Sequence, residues 1–352
     1  MNRTEASVIH TYSTVRYAQA GGGRRDAVSL LIASLGILGL SLLLSSPIAN
    51  EFMSSWAYKP VSKFIAAFHS ARKSPTDAMS AKAPVYFFSH GGPNVMYETK
   101  HPVFPVLQKI GKEITQKVKP KAIVVFSGHW EGSPNTIEVN TAEHTDLIYD
   151  FYGFPPHYYE AKYPNRGSPE LANKIIGLLT DAGIKTKAVT RGLDHGVWSG
   201  FHVAFDPKEN PLNVPLVQVS LYHSEDPDLH YRLGQAVASL RDENIVIIGA
   251  GMSVHNLRDM FKTRGDPRPM PYTVSFDEAL KEATEVAPAQ RQERMAEAAR
   301  RPDARQAHPW MDHLMPVYVA AGAAGEDQGK RTWTLHEGSM GWSQYRFGNV
   351  GA

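Results

Sequence analysis

Apolar and polar positions alternate in blocks from Pro84 onward. Short runs rich in β-branched residues indicate strands at Val85–Ser89, Lys121–Ser127, Thr186–Val189, Val214–Ser220 and Ile245–Gly249. Segments with apolar residues at helical spacing separate or follow them, at Pro102–Val118, Pro169–Ala182, Pro227–Arg241, Ser275–Arg300 and His308–Gly322. Strands that alternate with helices predict a single α/β domain over residues 84–352, with a mostly parallel or mixed central sheet flanked by helices.

The N-terminal segment breaks this pattern. Residues 27–49 carry no charge and follow Arg24 and Arg25. That length suits a helix that crosses a membrane, so we predict a hydrophobic helix acting as an anchor or a signal, and a membrane location through it. A cleaved organellar leader and a buried core helix are the alternatives. Residues 1–26 then form a polar leader, and residues 50–83 a linker.

Composition narrows the chemistry. The 352 residues include 37 basic and 35 acidic side chains, for a formal net charge of +2, which gives no electrostatic case for nucleic acid as a partner. The chain has no cysteine, which excludes disulfides, thiolate zinc sites, iron–sulfur clusters and a cysteine nucleophile. Any bound metal must therefore have nitrogen and oxygen ligands. Nothing in the sequence indicates an oligomeric state.

Histidines stand where the predicted strands end. His90, His129 and His255 each follow a strand-like run, and His195 lies in a polar turn after Asp194. Open α/β sheets bind ligands at the carboxyl ends of their strands, and imidazole is the commonest metal-binding side chain. We therefore predict one polar site built by distant segments, most simply a metal site with three imidazole ligands.

Other histidines are weaker candidates. His223 follows the strand Val214–Ser220, whereas His308 and His313 lie far from any predicted strand end. His223 and His313 are predicted to contact a substrate, and a structural or surface role is the alternative for all three. No Gly-x-Ser-x-Gly elbow is present, since Ser253 comes one position too late in its Gly-rich run, and this disfavours a serine hydrolase.

Six motifs occur in one order along the chain. They are Ser89–Pro93, Gly128–Trp130, Leu193–Trp198, Pro215–Ser220, Val254–Leu257 and His308–Pro316. Together they resemble the class III extradiol ring-cleaving dioxygenases, in particular the 4,5-DOPA extradiol dioxygenase branch. The resemblance implies one metal ion held by His90, His129 and His255. It implies that His195 is the acid–base catalyst, or a fourth ligand where zinc is bound, and that Fe(II) serves catalysis although Zn(II) can occupy the site.

The resemblance also implies a reaction. A catechol similar to DOPA and O₂ would be the small-molecule partners, and an oxidoreductase would open the ring beside the diol to give a muconic semialdehyde. The residues alone leave two alternatives, a zinc hydrolase that uses the same histidines to activate water and a non-catalytic membrane-tethered protein.

Overall fold

The structure is a computed structural model that describes residues 82–262, 266 and 268–351. The strands are β1 (Val85–Ser89), β2 (Ala122–Glu131), β3 (Ile137–Asn140), β4 (Thr186–Val189), β5 (Leu216–Leu221), β6 (Ile245–Gly251), β7 (Val254–His255), β8 (Gly329–Trp333), β9 (His336–Glu337), β10 (Met340–Gly341) and β11 (Gln344–Phe347). The α-helices are α1 (Val103–Lys112), α2 (Pro169–Asp181), α3 (His195–Ala204), α4 (Pro227–Val237), α5 (Leu257–Met260), α6 (Pro271–Glu285), α7 (Pro288–Ala299), α8 (Ala304–Ala307) and α9 (Met315–Ala323). A π-helical segment, Glu113–Val118, continues α1, and 3₁₀ segments lie at Pro93–Met96, Pro156–Tyr158 and Ala238–Glu243.

An eight-stranded sheet in the order β4-β3-β5-β2-β6-β1-β11-β8 forms the centre of the fold. Its middle strands β5, β2, β6 and β1 are parallel, whereas β11 pairs antiparallel with both β1 and β8. A small antiparallel sheet, β7-β10-β9, lies beside it. The predicted α/β domain with a mixed, mostly parallel sheet is therefore confirmed. The hydrophobic helix predicted before it lies outside the described residues.

Helices cover both faces of the sheet, because side chains along a strand alternate between the faces. In β1, Val85 and Phe87 pack into one core, to which α2, α4, α6, α7 and α9 contribute. Tyr86 and Phe88 pack into the opposite core with α1 and α3. Parallel strands buried on both faces are continuously apolar, which explains why β2 and β6 were recognisable from sequence.

The single helix predicted over Ser275–Arg300 is wrong. The chain forms α6 and α7, and Val286 and Ala287 between them adopt extended backbone angles. Pro288 explains the break, since proline disfavours helical geometry at the preceding residue and suits the first turn of a new helix. The pair is also not a wholly solvated surface, because Leu280 and Met295 are buried in the core.

The helix predicted over His308–Gly322 begins too early. Residues 308–314 form turns and bends, and α9 begins only at Met315. The short strands β3 and β8 to β11 were not predicted either, because they are brief and lack a long apolar run.

The prediction of a membrane location is corrected. Within residues 82–262, 266 and 268–351, no helix is both long and apolar enough to cross a bilayer, which contradicts the transmembrane assignment. Residues 27–49, predicted as an anchor or signal and alternatively as part of a cleaved leader, lie outside the described residues.

Candidate metal centre

The carboxyl edge of the parallel strands carries the predicted histidines. His90 directly follows β1, His129 lies near the end of β2, and His255 is in β7, four residues beyond the end of β6. Because β6 pairs in parallel with both β1 and β2, these side chains reach the same edge of the sheet.

His195 joins this edge from a helix. It is the first residue of α3, whose preceding residue, Asp194, adopts an extended conformation. The next residue, Gly196, allows the close approach, since a Cβ there would lie 2.6 Å from Cδ2 of His129. The distant segment around residue 195 is thus brought against β2.

Five imidazole rings form the resulting cluster, in which the ring of His313 contacts those of His90, His129 and His255. The ring centroids of His129 and His195 are 4.1 Å apart, and those of His129 and His313 are 4.6 Å apart. His90 lies 5.4 Å from His129 and 5.5 Å from His313. His255 stacks on His313 with centroids 3.8 Å apart and planes inclined by 14°.

The predicted ligands fall into three overlapping groups, one of which joins His129 and His195 with Asp150. Nitrogen atoms of His90, His129 and His313 lie within 4.8 Å of one another. His255 forms a second such group with Asp312 and His313. The structure therefore gathers all the predicted metal ligands at one edge but places His313 next to His129, with Nε2 atoms 3.0 Å apart.

Burial keeps most of this cluster neutral. Burial and the neighbouring histidines hold the pKa values of His90 and His313 well below their usual range, and burial followed by His313 does the same for His255. Burial also lowers the pKa of His195, although a hydrogen bond to Asp150 opposes it. Neutral imidazoles retain a lone pair, which is the form that binds metals.

His129 differs from its neighbours. Burial lowers its pKa, but the hydrogen bond to Asp150 and the charge of Asp194 outweigh that effect, so the pKa is raised overall. Burial raises the pKa of Asp150, but its hydrogen bonds with His129 and His195 outweigh that effect and hold the pKa well below its usual range. Asp150 is thus an anion that favours the protonated form of His129, whereas the pKa values of the other four rings are lowered.

The orientation of His90 fits a metal ligand. Its Nδ1 lies 2.5 Å from the carbonyl oxygen of Gly91 and therefore carries the hydrogen that it donates. Its Nε2 is buried and has no hydrogen-bond partner among the described residues. An unpartnered buried nitrogen is costly. A cation at this position would satisfy it, so the donor set suits a metal that accepts nitrogen ligands.

One member of this site was not assigned from the sequence, and another, His313, was predicted to contact a substrate but not as part of the histidine cluster. Asp150 lies in the loop after β3, where no spacing rule singles it out, and His313 could not be placed. The glycines of β6 are the sequence feature that points to a close neighbour at this strand end. A Cβ at Gly251 would lie 2.1 Å from the His313 carbonyl oxygen, so the segment that carries His313 is this neighbour. Glycine at that position lets residues 308–314 run against the strand ends.

His223 is not drawn into the cluster. Its side chain is 64% exposed and Nδ1 lies 2.7 Å from Oε2 of Glu131. It shares no ring contact with the five clustered histidines in the described part of the chain.

Aromatic side chains flank the cluster on the His195 side. The ring of Phe151 lies 5.4 Å from that of His195, and it contacts Tyr159 and Trp198 at 4.9 and 6.0 Å. Tyr149 packs against Trp198 at 5.5 Å. Aromatic faces of this kind contact planar ligands favourably.

A mixed α/β sheet with a histidine-rich, metal-capable cluster at its carboxyl edge defines the class of enzyme to which this chain belongs. Residues 83–348 match the family model described as the catalytic LigB subunit of aromatic ring-opening dioxygenase. The chain therefore belongs to this family, and it is an oxidoreductase, an extradiol ring-opening dioxygenase that acts on a small molecule with O₂.

Individual relatives agree with the family. The chain is 36% identical over 272 residues to the 4,5-DOPA dioxygenase extradiol of Beta vulgaris, covering 74% of this chain and 95% of the relative. It is 32% identical over 268 residues to a 4,5-DOPA dioxygenase extradiol-like protein of Schizosaccharomyces pombe, covering 72% and 89%. The crystal structure of an uncharacterised Escherichia coli K12 protein superposes with a TM-score of 0.60 at 27% identity, covering 76% of this chain and all of that one.

Proposed function

We propose that this chain is an Fe(II)-dependent dioxygenase that cleaves a catechol similar to DOPA to a muconic semialdehyde. The observation that carries this proposal is the cluster of neutral imidazoles with an orphaned Nε2 on His90. Family membership decides against the zinc hydrolase that the residues alone left open. The names of the relatives support DOPA as the first substrate to test.

We assign the metal to His90, His129 and His255. Nitrogen atoms of His90 and His129 lie within 4.8 Å of each other, and His255 follows the most apolar strand of the sheet. His313, next to His129 and stacked on His255, is the competing third ligand, and we assign it to substrate contact instead. His223, also predicted to contact substrate, has only its surface position beside Glu131 to support it.

The metal supplies electron transfer between the catechol and O₂ when it is bound, which Fe(II) can do and Zn(II) cannot. The chain supplies the rest. His195 is neutral and buried, so its ring can take the proton that a catechol hydroxyl releases on binding and return it later. The aromatic wall of Phe151 and Trp198 orients the ring and limits water. The carbon–carbon bond beside the diol breaks, and both atoms of O₂ enter the product.

The test is reconstitution of the metal-free protein. Fe(II) is added without oxygen, and then L-DOPA, catechol or a catechol carboxylic acid is supplied with O₂. We expect one O₂ consumed per molecule of the preferred catechol and a yellow product, whereas the Zn(II)-loaded protein should be inactive. Absence of O₂ uptake with every catechol, in a protein shown to hold Fe(II), would refute the proposal.

The third ligand is tested with paired variants. His255→Ala should lose metal affinity as severely as the loss of any ligand does, whereas His313→Ala should keep the metal and raise KM for the catechol. The reverse pattern would exchange the two assignments.

A further inference from the structure

Asp150 holds two of the five histidines with one carboxylate. Oδ1 accepts hydrogen bonds from the backbone N–H of His195 at 3.0 Å and from its Nδ1 at 2.8 Å. Oδ2 lies 3.0 Å from Nδ1 of His129. The side chain is 25% exposed, so these contacts are partly shielded from water.

These contacts determine where the ring protons are. An ionised carboxylate only accepts hydrogen bonds, so Nδ1 of His129 and Nδ1 of His195 must both carry hydrogen. In a neutral imidazole the other nitrogen, Nε2, then keeps its lone pair. His129 must be neutral to bind a metal, and its Nε2, which lies 3.0 Å from that of His313 inside the cluster, then directs this lone pair towards the proposed metal position.

The carboxylate that is adjacent in sequence cannot replace Asp150. Asp194 precedes His195 but is fully buried, and its oxygens accept hydrogen bonds from Ser127, Arg191 and Gln218. The carboxylate of Asp194 therefore serves β2 and β5 rather than the imidazole of His195. Asp150 is left as the carboxylate that reaches both rings.

We propose that Asp150 is a positioning residue that sets the tautomer of His129 as a metal ligand and of His195 as the proton carrier. This inference rests on the proposed function only for those two roles. One side chain thus couples metal affinity to proton transfer, since a hydrogen bond behind a ligand orients the ring and raises its basicity.

Asp150→Asn is the decisive substitution, because an amide has one accepting and one donating end. If its oxygen stays with the two donors of His195, its NH₂ group faces Nδ1 of His129 and forces the hydrogen of that ring onto Nε2. If the amide turns, the Nδ1 of His195 faces the NH₂ group instead. Either orientation leaves one ring in the wrong tautomer.

Tautomers can be observed without turnover. The metal-free protein is labelled with ¹⁵N-histidine and studied at a pH high enough for the nitrogen shifts of His129, whose pKa is raised, to show a neutral ring. We expect the rings of His129 and His195, assigned by His129→Gln and His195→Gln, to be among those that carry Nδ1–H. In Asp150→Asn one of these should convert to the Nε2–H form. A wild-type ring of His129 or His195 that carries its hydrogen on Nε2 in place of Nδ1 would overturn the proposal even if the variant did not fold.

Metal affinity gives the second readout. Zn(II) titration should show a dissociation constant that is roughly 10- to 100-fold higher for Asp150→Asn than for the wild type, as expected for loss of a hydrogen bond behind a ligand. In the Fe(II)-loaded variant, kcat should fall by a larger factor than KM rises. The matched control is Asp146→Asn, an exposed residue of the same loop, which should change neither. Unchanged tautomers and Zn(II) affinity in Asp150→Asn would refute the positioning role. If the wild type instead shows the expected tautomers and Zn(II) affinity but turns over no catechol, only the proposed substrate is refuted.

Discussion

Asp150 and Asp277 both gather histidine and other polar groups around a carboxylate, yet the two clusters have different properties. Oδ2 of Asp277 accepts hydrogen bonds from four groups at 2.8–2.9 Å, belonging to His336, Arg331, Thr334 and Ser343. Asp277 is fully buried and ties α6 to the C-terminal strands. Proximity alone groups Asp277, Glu278 and His336 as a possible metal site.

The direction of the nitrogen lone pairs separates the two clusters. At Asp277, His336 uses its Nε2 on the carboxylate, and Arg331 places a permanent cation where a metal would be. Burial raises the pKa of Asp277, but hydrogen bonds from His336, Ser253 and Ser343 outweigh that effect and lower it overall, so the carboxylate is held as an anion by donors and by Arg331. At Asp150 the rings are held through Nδ1, which leaves Nε2 directed into the cluster. We therefore assign metal binding to the Asp150 cluster, where imidazole lone pairs remain available, and a structural role to the Asp277 cluster.

The largest expected effect separates the two clusters by metal binding. His129→Ala should reduce Fe(II) and Zn(II) affinity by more than the roughly 10- to 100-fold that loss of a group behind a ligand costs, because it removes a ligand nitrogen. His336→Ala, the matched control from the Asp277 cluster, should bind metal as the wild type does. Isothermal titration of metal-free protein measures both. Full metal occupancy in His129→Ala would contradict the ligand assignment.

The free energy of unfolding should depend on the Asp277 cluster. Asp277→Ala leaves Arg331 and His336 without their buried acceptor, and breaking such a buried pair costs about 3–5 kcal/mol of unfolding free energy. Urea unfolding of the metal-free protein checks this value. Glu278→Gln alters only a half-exposed contact with Arg331, so it should cost less than about 1 kcal/mol. Equal stability of the two variants would show that the Asp277 network does not hold the C-terminal strands.

A smaller effect concerns a histidine that serves only the backbone. His230 is fully buried, with Nδ1 donating to the carbonyl of Asp226 and Nε2 accepting from the N–H of Tyr222. Burial lowers the pKa of His230 to about 4. Because an unfolded histidine titrates near 6.5, the unfolded chain gains the proton first as the pH falls. The stability from neutral His230 is complete above about 6.5 and is lost towards about 4, by up to roughly 3 kcal/mol.

Unfolding curves of the metal-free protein at several pH values between these limits test that slope. His230→Gln should show a slope shallower by up to about 1.4 kcal/mol per pH unit, whatever its stability at neutral pH. His223→Gln, which changes a mostly exposed side chain, should keep the wild-type slope. An unchanged slope in His230→Gln would mean that His230 takes up its proton equally in both states.

The sequence could predict those features that follow from apolar strands and the polar residues at their carboxyl ends. The long apolar runs of β2 and β6 and the histidines just past them identified the fold and most of the cluster. Asp150 escaped because a loop carboxylate has no periodicity, and only the folded chain shows which rings it reaches. Asp194 is the opposite case, since it is adjacent to His195 in the sequence but its carboxylate accepts hydrogen bonds from Ser127 and Gln218.

Tertiary contacts decided the remaining segments. His313 lies in residues 308–314, which lead directly into the helix that begins at Met315. The sequence pattern of the helix therefore concealed a turn whose position depends on the close approach at Gly251. The antiparallel strands β8 and β11 are specified by pairing with each other and with β1 rather than by their own composition. Local patterns cannot report such long-range partners.

The cluster combines residues from both ends of the described chain, with His90 and His313 separated by 223 positions (313 − 90). Contacts between positions so far apart form only after most of the loop-closure entropy has been spent, so the donor set exists in the completed fold and not in partly folded chains. A metal that binds it would stabilise the native state by mass action and make the thermal midpoint depend on metal concentration. Metal supply would then influence how much of this enzyme survives in the cell as well as how much of it is active.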